Sequence, residues 1–241
     1  MSNDRPDMPT FSVPPVDQRR LEPAAFVTGV DTWIFDLDDT LYPRSSGLHE
    51  RMVERVVRLI QDLTGTDAKS AAKLHARYYS DYGTSMVGLM RHHGVSPDKY
   101  IEFVHKIDIS SISRSHELNE LLSRLPGKLI VFTNGSKNHA NRILSHLGIQ
   151  DAFDEVFGVE ASDFIGKPDA RAYDAMISSC DVDPSRAIMF DDRQVNLEVP
   201  RALGMRTVLV SENGITEEDG SHATTNSVLE FLRSVHATLK S

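Results

Sequence analysis

Short apolar runs recur along the chain with room for a helix between them. Trp33, Ile34 and Phe35 lead into Asp36, "KLIVFT" fills 128–133, "EVFGV" 155–159, "AIMF" 187–190 and "TVLV" 207–210. Short apolar runs bounded by polar turns suit strands buried on both faces of a parallel sheet. Between the later runs the apolar residues recur at three and four. Ile143, Leu144 and Leu147 do so within 137–147, and Ala172, Ala175, Met176 and Ile177 within 169–180. Strand and helix alternate, so the pattern predicts an α/β core.

The interval 44–114 has a different rhythm. Leu48, Met52, Val53, Val56, Val57, Leu59, Ile60 and Leu63, then Met86, Val87, Leu89 and Met90, follow helical spacing and leave no convincing strand. About 70 helical residues between the first and second strands predict a separate layer, placed to cover whatever follows Phe35. The division expected is a core of 22–43 and 115–241 with 44–114 inserted. Pro6, Pro9, Pro14 and Pro15 lie among polar residues, so 1–21 reads as a flexible tail. A last helix is predicted over 227–239, where Val228, Leu229, Leu232, Val235 and Leu239 share one face.

Composition narrows the class. A chain of 241 residues with 40% hydrophobic content can fill a real core. A formal charge of −9 and a pI near 5.5 argue against a nucleic-acid partner, which needs clustered Lys and Arg. No apolar stretch is long enough to span a bilayer, and "MSNDRPDMPTFSVPPVDQRR" lacks the apolar segment of a signal peptide. The single Cys180 fits a reducing compartment and is expected to be a small buried side chain without a role. A cytoplasmic protein is expected, with its oligomeric state left open.

The chemistry gathers at strand ends, where open parallel sheets bind ligands. The first strand runs into Asp36, Asp38, Asp39 and Thr40, the second into Thr133, Asn134, Gly135 and Ser136, and the fourth into Asp191 and Asp192. Lys167 stands in "GKPD" ahead of a helix. If these ends meet, the carboxylates share one pocket, where a pair at 4 Å costs about 4 kcal/mol even at an effective dielectric of 20. A divalent cation is required to offset that. Oxygen-only ligands favour Mg²⁺, which commonly keeps a substrate phosphate oxygen in its shell. Thr133, the N–H groups from Asn134 to Ser136 at a helix start, and Lys167 could hold that phosphate. A metal-bound aspartate could then attack phosphorus while a second carboxyl protonates the leaving oxygen. Asp36 and Asp38 suit those two roles, since their spacing of two puts both on one side of an extended segment, with Leu37 turned into the core.

These residues resemble the haloacid dehalogenase-like phosphohydrolases, whose signature is D-x-D-x-T after a strand, a later Thr or Ser, a Lys and an acidic pair. Here these are "DLDDT", Thr133, Lys167 and Asp191-Asp192, so the resemblance covers about 32–210. It implies a Rossmann-like parallel core with a mobile helical cap. It also implies Mg²⁺ held by Asp36, the Asp38 carbonyl and Asp192 with Asp191 in support, Asp36 as nucleophile and Asp38 as general acid and base. "YYSDYGTSMVGLMRHHGV" and "TNGSKNHANRILSHLGIQDAFD" are similar to yeast-type pyrimidine 5′-nucleotidases, which dephosphorylate UMP and CMP. The substrate implied is therefore a nucleoside monophosphate. One departure is "DDRQVN", where such relatives tend to have Asp-Asp-Ser; Arg193 could add positive charge near the entrance or face solvent.

Other readings remain open. The same chemistry could serve phosphoglycolate or a sugar phosphate, or a phosphomutase, and a receiver-like regulatory protein also combines carboxylates, a hydroxyl and a lysine. Arg91, His92 and His93 read as positive charge at a helix end. Tyr78, Tyr79 and Tyr82 read as a helix core face, and Trp33 as core.

Overall fold

The computed structural model describes residues 26–212 and 222–238; the expected 1–21 tail lies outside them. Its strands are β1 Thr32–Phe35, β2 Lys128–Phe132, β3 Glu155–Phe157, β4 Ala187–Asp191, β5 Arg206–Val210 and β6 Ala223–Thr225. They form one parallel sheet in the order β3-β2-β1-β4-β5-β6. The expected α/β, Rossmann-like core is what forms. The short β6 was not foreseen, because an "ATT" edge strand carries no apolar run.

Successive residues of the central strands go to opposite faces of the sheet, which is why their sequence is apolar without a break. Trp33, Phe35, Leu129, Val131, Ile188, Phe190 and Val208 face one side. There they meet α5 (His116–Leu122), α6 (Lys137–Leu147) and α9 (Val228–Thr238). Ile34, Ile130, Phe132, Met189 and Leu209 face the other, against α7 (Ala170–Cys180) and α8 (Gln194–Ala202). Cys180 is a buried free thiol in this second cluster. Trp33 is fully packed, its indole N–H donating to the Pro126 carbonyl at 2.9 Å.

Between β1 and β2 the chain builds α1 (Leu48–Thr64), α2 (Ala68–Tyr82), α3 (Ser85–His93) and α4 (Pro97–His105). These helices share an apolar cluster of their own, with Val56, Leu59, Ile60, Tyr78, Leu89 and Val104. Each of α2, α3 and α4 starts on a side-chain cap, from Asp67, Thr84 and Ser96 respectively. His93 and His92 tie α3 to α2 through the hydroxyls of Tyr78 and Tyr82, at 2.9 and 2.8 Å. No helix among the described residues is long and apolar enough to cross a membrane.

Candidate active site

β1 is the central strand, flanked by β2 and β4, so the carboxyl ends of all three lie side by side. Immediately after β1, the Asp36 N–H donates to the Phe190 carbonyl at 2.8 Å, keeping the backbone against β4 for one more residue. The chain then turns: the N–H groups of Thr40 and Leu41 both donate to the Leu37 carbonyl, and Asp39 takes a left-handed φ of 62°. Leu37 points into the core while Asp36, Asp38 and Asp39 line a common cavity.

Lys167 organises the deepest part. Its side chain is 1% exposed, and Nζ donates to Asp36 Oδ1 at 2.7 Å, Asp191 Oδ2 at 2.7 Å and the Phe132 carbonyl at 2.9 Å. Burial opposes the ammonium charge, but the two carboxylates outweigh it and hold the lysine pKa above its ordinary value. The lysine is fixed from outside by Asn134, whose side-chain amide donates to the Lys167 carbonyl at 2.9 Å and accepts from the Lys167 N–H at 2.7 Å. The Asn134 side chain thus braces Lys167, and the residue also lines the cavity. Thr133 is buried there, its hydroxyl accepting from the Gly135 N–H at 2.9 Å.

Oxygen atoms of Asp36, Asp191 and Asp192 lie within 4.8 Å of one another. Three carboxylates against one ammonium leave two negative charges, which matches the charge of a divalent cation and the all-oxygen donor set of a hard one. The strain shows in the acids themselves. Burial pushes the Asp36 carboxyl well above the usual range, with Asp191 and Asp192 adding to the effect and Lys167 opposing it. Burial and then Asp191 push Asp192 up to about 7. Asp191 is held by three donors: Lys167 on Oδ2, and the Arg193 N–H and the Asn196 side chain on Oδ1, both at 2.9 Å.

Asp38 stands apart from that cluster, held by different partners. Its Oδ1 accepts from the Tyr42 hydroxyl at 2.5 Å and lies 3.1 Å from His139 Nε2. Burial pushes this carboxyl up, but His139 and Tyr42 outweigh it and hold the pKa at about 2. Oδ2 faces the loop after β2, where a Cβ added to Gly135 would stand 3.7 Å from it and 3.3 Å from the Thr133 hydroxyl. The three strand ends foreseen in the sequence therefore converge. His139 and Tyr42 were not foreseen, although His139 sits on the apolar stripe of α6 with Ile143 and Leu147, four and eight residues on.

The cavity above these groups encloses about 710 Å³ between the strand ends and α1–α4. The two sides touch closely at Gly83, which ends α2 with a φ of 75° and whose added Cβ would come within 2.8 Å of the Lys167 carbonyl. Tyr78 is buried in the helical cluster as expected, but Tyr79 departs from that reading and lines the cavity. The guanidinium of Arg193 lies 4.4 Å over the Tyr79 ring, so of the two positions considered for Arg193 it takes the one beside the cavity.

The chain belongs to the haloacid dehalogenase-like hydrolases, whose family match covers residues 30–204. It is 29% identical over 212 residues to Phosphate metabolism protein 8 of Saccharomyces cerevisiae, the match taking in 77% of this chain and 65% of the yeast protein. The chain therefore spans just under two thirds of that relative's length. It is also 25% identical over 182 residues to Validoxylamine A 7'-phosphate phosphatase of Streptomyces hygroscopicus subsp. limoneus, covering 71% of this chain and 81% of that protein. Among solved structures, a HAD phosphatase from Thermococcus onnurineus shares the fold, with a TM-score of 0.61, 18% identity, and coverage of 86% of this chain and 98% of that one.

Proposed function

We propose that this hydrolase is a Mg²⁺-dependent phosphomonoesterase that passes the phosphoryl group through Asp36, with pyrimidine nucleoside 5′-monophosphates such as UMP and CMP as substrates and 44–114 as its cap. The observation that carries the reading is the pairing of two differently tuned acids. Asp36 sits in a carboxylate cluster that leaves a twofold negative charge, while Asp38 beside it is pinned by Oδ1 with Oδ2 left facing the Thr133 loop.

In this reading Asp36, the Asp38 carbonyl and Asp192 hold the ion, and Asp191 supports them through Lys167. When bound, the ion would offset the charge on the transferring phosphoryl group. Thr133, which accepts from its own loop, keeps its proton to donate to a phosphate oxygen, and Lys167 supplies a compact positive charge. The N–H groups from Asn134 onward add donors at the start of α6. A carboxylate oxygen of Asp36 attacks phosphorus and the bond to the leaving oxygen breaks as Asp38, which rests ionised and must take up a proton on Oδ2 before this step, gives that oxygen its proton. Water then attacks the same phosphorus, Asp38 takes the water's proton, and Asp36 is freed with release of inorganic phosphate.

The pyrimidine assignment is supported by the resemblance of residues 78–95 and 133–154 to yeast-type nucleotidases. A second reading, another small phosphate such as phosphoglycolate or a sugar phosphate, is favoured by the similarity to Validoxylamine A 7'-phosphate phosphatase. Phosphate release from UMP, CMP, AMP, phosphoglycolate and glucose 6-phosphate, each with Mg²⁺ and with EDTA, tests both. Metal-dependent release favouring UMP and CMP and lost in Asp36→Asn is the expected result. Preference for glucose 6-phosphate moves the assignment to the second reading, and no release from any of them overturns the phosphatase.

A further inference from the structure

The first turn of α6 places an imidazole where the chemistry above has given it no part. His139 has no exposed side-chain surface, its backbone N–H donates to the Ser136 hydroxyl at 3.2 Å, and its Nε2 lies 3.1 Å from Asp38 Oδ1. Oδ1 already accepts from the Tyr42 hydroxyl and Oδ2 is the oxygen that would carry a transferable proton, so in this bond Oδ1 accepts and Nε2 donates. A second ring lies against it. His105, the last residue of α4, stacks on His139 with ring centroids 4.3 Å apart and 20° between planes, and its Nδ1 is 3.1 Å from the same Ser136 hydroxyl.

The consequence is geometric. With Tyr42 and His139 both on Oδ1, the carboxyl cannot turn about its last bond without leaving two buried donors unpaired. Only Oδ2 is then presented toward Gly135 and Thr133, where a phosphoester oxygen would be seated. His105 reaches this point from the helical insert, so the aim of Asp38 depends on an element 101 residues away in sequence from Asp38 and on one belonging to the other layer.

We infer that His139 is a positioning residue that fixes Asp38 for proton transfer, and that His105 completes its seat from the side of the helical layer. The inference rests on the reading of Asp38 as general acid and base, and the test separates the two. Phenyl phosphate and p-nitrophenyl phosphate offer leaving groups of nearly one shape. The phenol, with a pKa of about 10 like that of tyrosine, needs a proton as it departs far more than the nitrophenol does. The measured quantity is the ratio of phosphoenzyme formation rates, nitrophenyl over phenyl, in rapid single-turnover experiments with Mg²⁺.

Asp38→Asn is expected to raise this ratio most, toward the roughly 10²-fold share of general acid catalysis. His139→Ala should raise it about 10-fold with KM unchanged, a part of that share. His139→Gln, which keeps a donor at similar reach, should return it toward the starting enzyme, and His105→Ala should raise it by less than His139→Ala. A merely structural role would slow both esters alike and leave the ratio where it was. If His139→Ala does not melt cooperatively, His139→Phe fills the space without the donor and carries the test. A ratio raised by Asp38→Asn but not by His139→Ala overturns the inference and leaves the role of Asp38 intact. A ratio equal to that of the starting enzyme in His105→Ala overturns the part given to His105. A ratio unmoved by Asp38→Asn removes the role of Asp38 and the inference with it.

Discussion

Replacing Lys167 with methionine removes one charge while keeping most of the volume, and the structure fixes what that leaves behind. Nζ is the shared donor to Asp36 and Asp191 at 2.7 Å each, and both carboxylates are buried. Breaking a buried ion pair from one side costs about 3–5 kcal/mol because the remaining charge has no compensation. For a chain of this size each kcal/mol moves Tm by about 2–4 °C, so Lys167→Met should melt about 6–20 °C lower in EDTA. The origin of the loss is checked by the partner: adding Asp191→Asn to Lys167→Met should recover part of it, since one uncompensated carboxylate is gone and the two sites are coupled. Mg²⁺ should recover part as well, by pairing with Asp36. Thermal melts of the single and double variants, in EDTA and in Mg²⁺, measure all of this. A loss below about 1 kcal/mol, the range of exposed ion pairs, would refute the account of Lys167 as the charge that holds the cluster together.

Mg²⁺ at 100 times its Kd should add about 2.7 kcal/mol of stability, read as a Tm rise of about 5–11 °C. Asp192→Asn should lose most of that rise, and a rise unchanged in that variant would place the ion elsewhere. Phe190→Ala should cost about 3–5 kcal/mol in urea unfolding, because Phe190 is fully buried and stacks on Phe35 with centroids 4.8 Å apart; a loss under 1 kcal/mol would mean the core refills the space. Arg193→Ser and Tyr79→Ala both dismantle the 4.4 Å contact that walls the cavity. Steady-state kinetics should show KM raised about fivefold with kcat held, as expected for a contact worth about 1 kcal/mol that does not touch the phosphoryl group. A fall in kcat at constant KM would put that wall in the chemistry instead.

The parts of the fold that the sequence announces are those governed by short-range periodicity. β1, β2, β4 and β5 are legible because both their faces are buried, so Trp33–Phe35 or Ile188–Phe190 shows no polar interruption. Helix α6 is legible over its full length, and its start is marked by Ser136, whose hydroxyl accepts from the His139 N–H. The acidic and hydroxylic ends of these strands are legible for the same reason, since they are where each apolar run stops. β6 is not, because three half-buried residues at a sheet edge need no apolar pattern.

What the local pattern does not carry is which residues the convergence brings together. Asn134 looks like a turn residue, yet its side chain closes a reciprocal pair with the backbone of Lys167 across 33 positions. Tyr78 and Tyr79 are adjacent, and helical spacing alone gives both to the apolar face; only the packed structure separates one as core from the other as cavity wall. His139 is the case in which a signal was present. A histidine four residues before Ile143 and eight before Leu147 lies on the buried stripe of α6, and a polar group there must find a partner inside the protein. With the sheet order placing the starts of α6 and the β1 turn next to each other, the nearest acceptor is a carboxylate of "DLDDT", and the bond to Asp38 supplies it. A polar residue on an otherwise apolar helical stripe, close behind a strand end rich in carboxylates, is thus a sequence mark of a group whose partner lies inside the protein, as His139 finds Asp38.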